Sequence, residues 1–125
     1  MADFTIDIQG IPEVKEFLKT KNKKLGINIQ KGINQSAIYV QGEVKMSISG
    51  NRAEKKSVDT GRFLNSVSVK TGPLQSDVYT NVSYGKFLEF GTSKFPARSH
   101  FRNSANRSTD KVINIIKEKA KEAVD

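Results

Sequence analysis

Six apolar residues, Ile29, Ile33, Ala37, Val40, Val44 and Ile48, follow one another at spacings of 4, 4, 3, 4 and 4. Residues so spaced share one stripe of an α-helix. Polar Gln30, Lys31, Asn34, Gln41 and Lys45 occupy the opposite face. The spacing predicts a helix from about Lys24 to Ser49. Its stripe belongs in the core. Gly32 and Gly42 weaken such a helix locally, so packing has to hold it.

Shorter elements surround this one. In "DFTIDIQG", apolar Phe4, Ile6 and Ile8 alternate with polar Thr5, Asp7 and Gln9, which predicts a strand ending at Gly10. Pro12 suits the first turn of a short helix with Ile11, Val14, Phe17 and Leu18 on its apolar side. Val67 and Val69, then Val78, Thr80 and Val82, alternate with polar residues on either side of "TGPLQS", the pattern of an antiparallel hairpin. The closing stretch "STDKVINIIKEKAKEAVD" predicts an amphipathic helix with a start allowed as far upstream as Ser99. Its apolar edge is Ile113, Ile116, Ala120 and Ala123, widened by Val112. Together these predict one α+β domain over residues 1–125. A small antiparallel sheet packs against the long central helix and the C-terminal helix, which cover one of its faces.

Between helix and hairpin, "SGNRAEKKSVDTGR" has no apolar period. Arg52, Lys55, Lys56 and Arg62 outweigh Glu54 and Asp59 there. This predicts a mobile loop over Ser49–Asp59 that orders only against a partner. Asp59 or Thr60 is placed to cap one helical turn over Gly61–Asn65.

The chemistry available to the chain is narrow. It has no cysteine and a single histidine, which excludes disulfides, thiolate metal sites and multi-histidine metal sites. Asp59, Asp77, Glu89 and Asp110 are too scattered to gather round an ion. No phosphate-cradling glycine loop is present, and no cofactor is expected. The N-terminus lacks a basic region followed by an apolar run, and no stretch is long and apolar enough for a bilayer, so synthesis inside the cell without a membrane partner is expected. A hydrolase would have to rest on His100 with Glu89 or an arginine as its partner. Arg98 and Arg102 beside it favour the neutral ring of a surface or interface histidine, and catalysis is the weakest of the readings.

A net charge of +8 points to acidic partners. In "SYGKFLEFGTSKFPARSHFRNS" four phenylalanines alternate with Lys86, Lys94, Arg98 and Arg102. Arginine pairs with phosphate and aromatic rings stack on bases, which makes a basic nucleic-acid-binding module the alternative function. Zinc-finger and RNA-recognition signatures are missing.

Two stretches carry a resemblance. "VDTGRFLNSVSV" resembles the Thr-Gly-x-Leu-x-x-Ser segment of tailed-bacteriophage neck and tail-completion proteins, a family of head–tail joining or minor tail components. "VSYGKFLEFGTSKFPARSHFRNSA" resembles that family's Tyr, Glu-Phe-Gly-Thr and Pro-Ala-Arg-Pro-Phe-(Leu/Phe)-Arg-Pro-Ala signature. The matching motif residues are Thr60, Gly61, Tyr84, Glu89, Phe90, Gly91, Thr92 and Pro96. The sequence departs at Phe63, at Ser99–His100 in place of Pro-Phe, and at Asn103–Ser104. The resemblance implies a non-enzymatic virion protein, made in the bacterial host cytoplasm. It would form a homo-oligomeric ring at the junction between capsid and tail. Its partners would be head-closure or connector proteins and tail-terminator or tail-tube proteins, with DNA passing through the lumen. On this reading Lys94, Phe95, Arg98, Phe101 and Arg102 touch other subunits, Arg52, Lys55, Lys56 and Arg62 make contacts from the loop, and Tyr84, Phe87 and Phe90 pack inside.

Overall fold

The computed structural model describes residues 4–9, 23–57 and 61–124. The expected short helix from Ile11 to Leu18 and the capping residues Asp59 and Thr60 lie outside them. Element order is β1 (Phe4–Gln9), α1 (Lys23–Ile48), α2 (Arg62–Ser66), β2 (Ser68–Gly72), β3 (Gln75–Thr80), α3 (Gly85–Phe90), α4 (His100–Arg107) and α5 (Thr109–Val124). The sheet is antiparallel in the order β1-β3-β2, with Ile6 opposite Val78 and Val69 opposite Val78 from the other side. The α+β class and the long helix are as the sequence predicts.

All six residues of the α1 stripe are buried. The stripe serves two clusters. Ala37, Val40, Val44 and Ile48 meet Phe63, Val67, Val78, Val82 and Phe101. Ile29 and Ile33 meet Leu25, Leu74, Ile116 and Ala120. The second cluster explains Gly32. A Cβ there would stand 3.2 Å from the Ile116 Cα, so the glycine lets α5 approach the α1 backbone closely. The residue that weakens the isolated helix is the one that permits its packing.

α5 packs chiefly along α1, whereas the sequence reading laid it over the sheet. Its buried edge is also rotated. Val112, Ile116, Ala120 and Ala123 turn inward, and Ile113 is exposed. At the hairpin, the Leu74 N–H donates to Gln30 Oε1 at 2.6 Å. This bond and the Leu74 side chain in the second cluster hold Leu74 at φ 52, a conformation costly for a residue with a Cβ. The hairpin tip is thereby fixed to the long helix.

Candidate functional site

The signature segment is built around two buried polar groups. The first is Glu89, on α3. Its Oε1 accepts the Phe101 N–H and its Oε2 the Arg102 N–H, both at 2.9 Å. Both N–H groups belong to the first turn of α4, where the helix dipole favours an anion. Ser99 Oγ donates to the Glu89 carbonyl, and the Arg98 N–H to the Leu88 carbonyl at 2.6 Å. Glu89 thus clamps α3 to α4. Burial raises its pKa, and the two N–H bonds pull the other way.

Between the helices the chain reverses. Gly91 has φ 79, and a Cβ there would lie 2.7 Å from the Ala97 nitrogen. The Thr92 N–H donates to the Phe95 carbonyl, and the Lys94 N–H to Thr92 Oγ1. Residues 92–98 therefore fold back on α3. Pro96 does not carry the chain outward, because the hydrogen bonds of this turn and of Arg98 return it to the helix.

The second buried group is His100. Its Nδ1 is 2.7 Å from Ser47 Oγ and its Nε2 is 2.8 Å from Ser57 Oγ. Ser47 donates its proton to Glu54 Oε1, so it accepts from His100, which assigns the proton to Nδ1. Arg98 Nη1 donates to Ser57 Oγ, and the Ser57 proton goes to Nε2 at 2.8 Å rather than to the more distant Lys55 carbonyl at 3.3 Å. The bonds run in one direction, from Arg98 through Ser57, His100 and Ser47 to Glu54. Arg107 closes the chain with two bonds to Glu54 at 2.7 and 2.8 Å, and Asn103 adds a third donor. Burial, foremost, lowers the His100 pKa to about 4; Arg98 and Arg107 add to it, against Glu54. The Arg107 bonds do most to lower Glu54 to about 2.

These contacts correct three expectations. His100 is buried, not at the surface, and burial more than its arginine neighbours keeps it neutral. It does not pair with Glu89, whose carboxylate serves the helix end, so the proposed general-base couple is not assembled. Residues 49–57 are anchored by Glu54, by Ser57 and by the Arg52–Glu43 pair at 2.8 Å. The free loop expected over Ser49–Asp59 does not describe them; residues 58–60 lie outside the described residues.

The inward packing expected of Tyr84, Phe87 and Phe90 is not found. Phe87 and Phe90 are 49% and 59% exposed, and Tyr84 is also exposed. A helix as short as α3 has one buried side, and Gly85 and Glu89 occupy it. Phe101 lies in the core, 6.4 Å from the Phe63 ring, which removes it from the contact residues. Phe95 and Arg98 are half-buried, with Arg98 stacked 5.8 Å from the Phe95 ring. Arg102 lies 5.0 Å over Phe90 and is exposed, as is Lys94. Lys55, Lys56, Arg62, Thr92 and Pro96 are exposed as well, and Arg52 is taken by Glu43. Gly61, at φ 83, opens α2. An open cleft of about 460 Å³ lies among Tyr84, Phe87, Leu88 and Phe95.

Sequence reasoning missed Ser47, Glu54 and Ser57. One signal was present: Ser47 and Ser36 lie on the buried side of α1. A hydroxyl inside an apolar stripe needs a partner. Among the described residues no group of acidic residues and histidine is placed to hold a metal ion, and no helix is long and apolar enough to cross a membrane.

The buried histidine sets a pH dependence. Its pKa is about 6.5 in the unfolded chain and about 4 in the fold, so the unfolded state binds the extra proton between those values. Stability is full above pH 6.5 and falls as pH drops toward 4. Unfolding free energies from urea titrations at pH 7 and pH 5 should differ by about 2 kcal/mol. In His100→Gln this difference should largely vanish. An equal loss in both proteins would show that His100 is not the titrating group.

The family model described as "Bacteriophage HK97-gp10, putative tail-component" matches residues 13–91, more than half of the sequence. The chain belongs to this family of bacteriophage tail components. No curated protein and no solved structure matches it.

Proposed function

We propose that the chain is a structural subunit of a ring at the head–tail junction of a long-tailed bacteriophage, joining the capsid connector to the tail around the DNA path. The observation that carries this reading is the exposure of Phe87 and Phe90 on the helix that ends in the first two residues of the Glu-Phe-Gly-Thr motif. Large exposed aromatic residues beside a cleft mark a contact surface. A closed ring needs two different faces on each subunit, and α3 supplies one. The partners would be further copies of this chain and the connector and tail proteins on either side.

The test is the double variant Phe87→Ala/Phe90→Ala. Its melting temperature should stay within a few degrees of the parent, while tailed particles fail to form by electron microscopy. Normal particles would refute the surface. The proposal predicts aromatic contacts that persist in salt, whereas a nucleic-acid module would lose affinity steeply. Arg52, Arg98 and Arg107 already have partners within the chain, which weakens that alternative.

A further inference from the structure

The cleft beside α3 has apolar walls and a cationic rim. Tyr84, Phe87, Leu88 and Phe95 form the walls. Lys86 lies 5.9 Å from the Phe87 ring, Lys94 lines the edge, and Arg102 stacks on Phe90. Among the described residues no acidic side chain lines the cleft. Glu89 is the only acidic residue between Ser83 and Arg107, and its carboxylate is buried against the start of α4.

We infer that this cleft receives a segment of a different protein, in which an apolar side chain is flanked by carboxylates. The inference rests on the assembly surface proposed above and names the chemistry of its partner. An apolar anchor fits the walls, and flanking carboxylates meet Lys94, which lines the cleft, and Lys86 beside the Phe87 wall. A second copy of this chain is a poor source. A second copy carries the same net charge of +8; among its described acidic residues Glu43, Glu54 and Glu122 are paired within the chain, Glu89 is buried and Asp77 half-buried, while Asp110 and Glu118 are exposed on α5, far fewer than its cations. Single-stranded nucleic acid would meet cations and rings too. The apolar walls suit a Leu or Phe side chain better than a base carrying its phosphate.

The experiment uses the full chain and a peptide array in which one Leu or Phe is flanked by Asp, Ser or Lys. The parent protein should retain the Asp-flanked members about ten-fold better than the Ser-flanked ones, and the preference should shrink as salt rises. Phe87→Ala should lose all retention. Lys86→Glu/Lys94→Glu, both exposed positions, should shift the preference to Lys-flanked members. Flank-independent retention, no retention, or displacement of the peptides by an oligo-dT strand would each overturn the inference. So would self-association of the parent protein that Phe87→Ala abolishes, because the occupant would then be a second copy. Particle assembly separates the two proposals. If Phe87→Ala/Phe90→Ala blocks tails while Lys86→Glu/Lys94→Glu builds them normally, the assembly surface stands and the acidic partner falls. If both variants build normal tails, the assembly surface itself fails.

Discussion

Val40→Asp should not fold. Val40 is buried at the centre of the larger core cluster, where α1 meets Val78 and Phe101. No cation is among the residues of that cluster, so the carboxylate would be buried unpaired or would take up a proton. Either outcome adds several kcal/mol to the loss of valine packing, against a total stability of roughly 5–15 kcal/mol for a domain. The matched control is Ile38→Asp, two residues away and 64% exposed, which should melt within a few degrees of the parent. Gln41 is a poorer control than its polar position suggests, because its Nε2 donates to the Val67 carbonyl at 2.8 Å. Circular dichroism during urea titration decides the matter. A soluble Val40→Asp protein with a cooperative transition would mean that the buried face is misassigned.

What could be read from the sequence is what repeats locally. The α1 stripe, the hairpin and the α2 turn each depend on residues within a few positions of one another, and each formed near where its pattern placed it, the hairpin with a tighter turn and with Val67 and Val82 outside its strands. The site depends on pairs far apart. Ser47 and His100 are separated by 53 residues, and Glu54 and Arg107 by the same number. No period marks such pairs. The loop's net positive charge hid the fact that its one acidic residue among the described positions, Glu54, carries its anchoring. Spacing also misled at α3. Tyr84, Phe87 and Phe90 recur every three residues, which is the spacing of a packed helical face. A two-turn helix cannot bury every residue, and the buried places went to Gly85 and Glu89.

The departure at His100 now has a physical reading. Where the resembling signature has Phe, this chain has a ring that still packs against Phe63, with centroids 6.2 Å apart. The ring nitrogens add bonds to Ser47 and Ser57, which tie α1 and the 49–57 segment to α4. A phenylalanine would fill the same space without those bonds. It would leave the Ser47 and Ser57 hydroxyls short of one partner each.

Glu89→Ala should cost about 3 kcal/mol of stability. Two N–H groups at the start of α4 lose their acceptor, and bonds to a charged group are worth roughly 1.5–3 kcal/mol each. Against this, removing the carboxylate relieves its desolvation, which is large enough to raise its pKa despite those bonds. The net loss is therefore smaller than the sum of the two bonds. Glu89→Gln separates the effects. It removes the charge and keeps one acceptor, but turns an NH2 group toward a backbone N–H, so it should cost only about 1 kcal/mol. Equilibrium unfolding gives the ranking, and amide exchange locates it. In Glu89→Ala the Phe101 and Arg102 amides should exchange faster relative to the rest of α4. Arg102 stacks on Phe90, so the same variant should loosen the exposed aromatic surface and reduce tail assembly below what its lowered melting temperature alone explains. If Glu89→Ala is as mild as Glu89→Gln and the two amides stay protected, the Glu89 carboxylate does not hold α3 to α4.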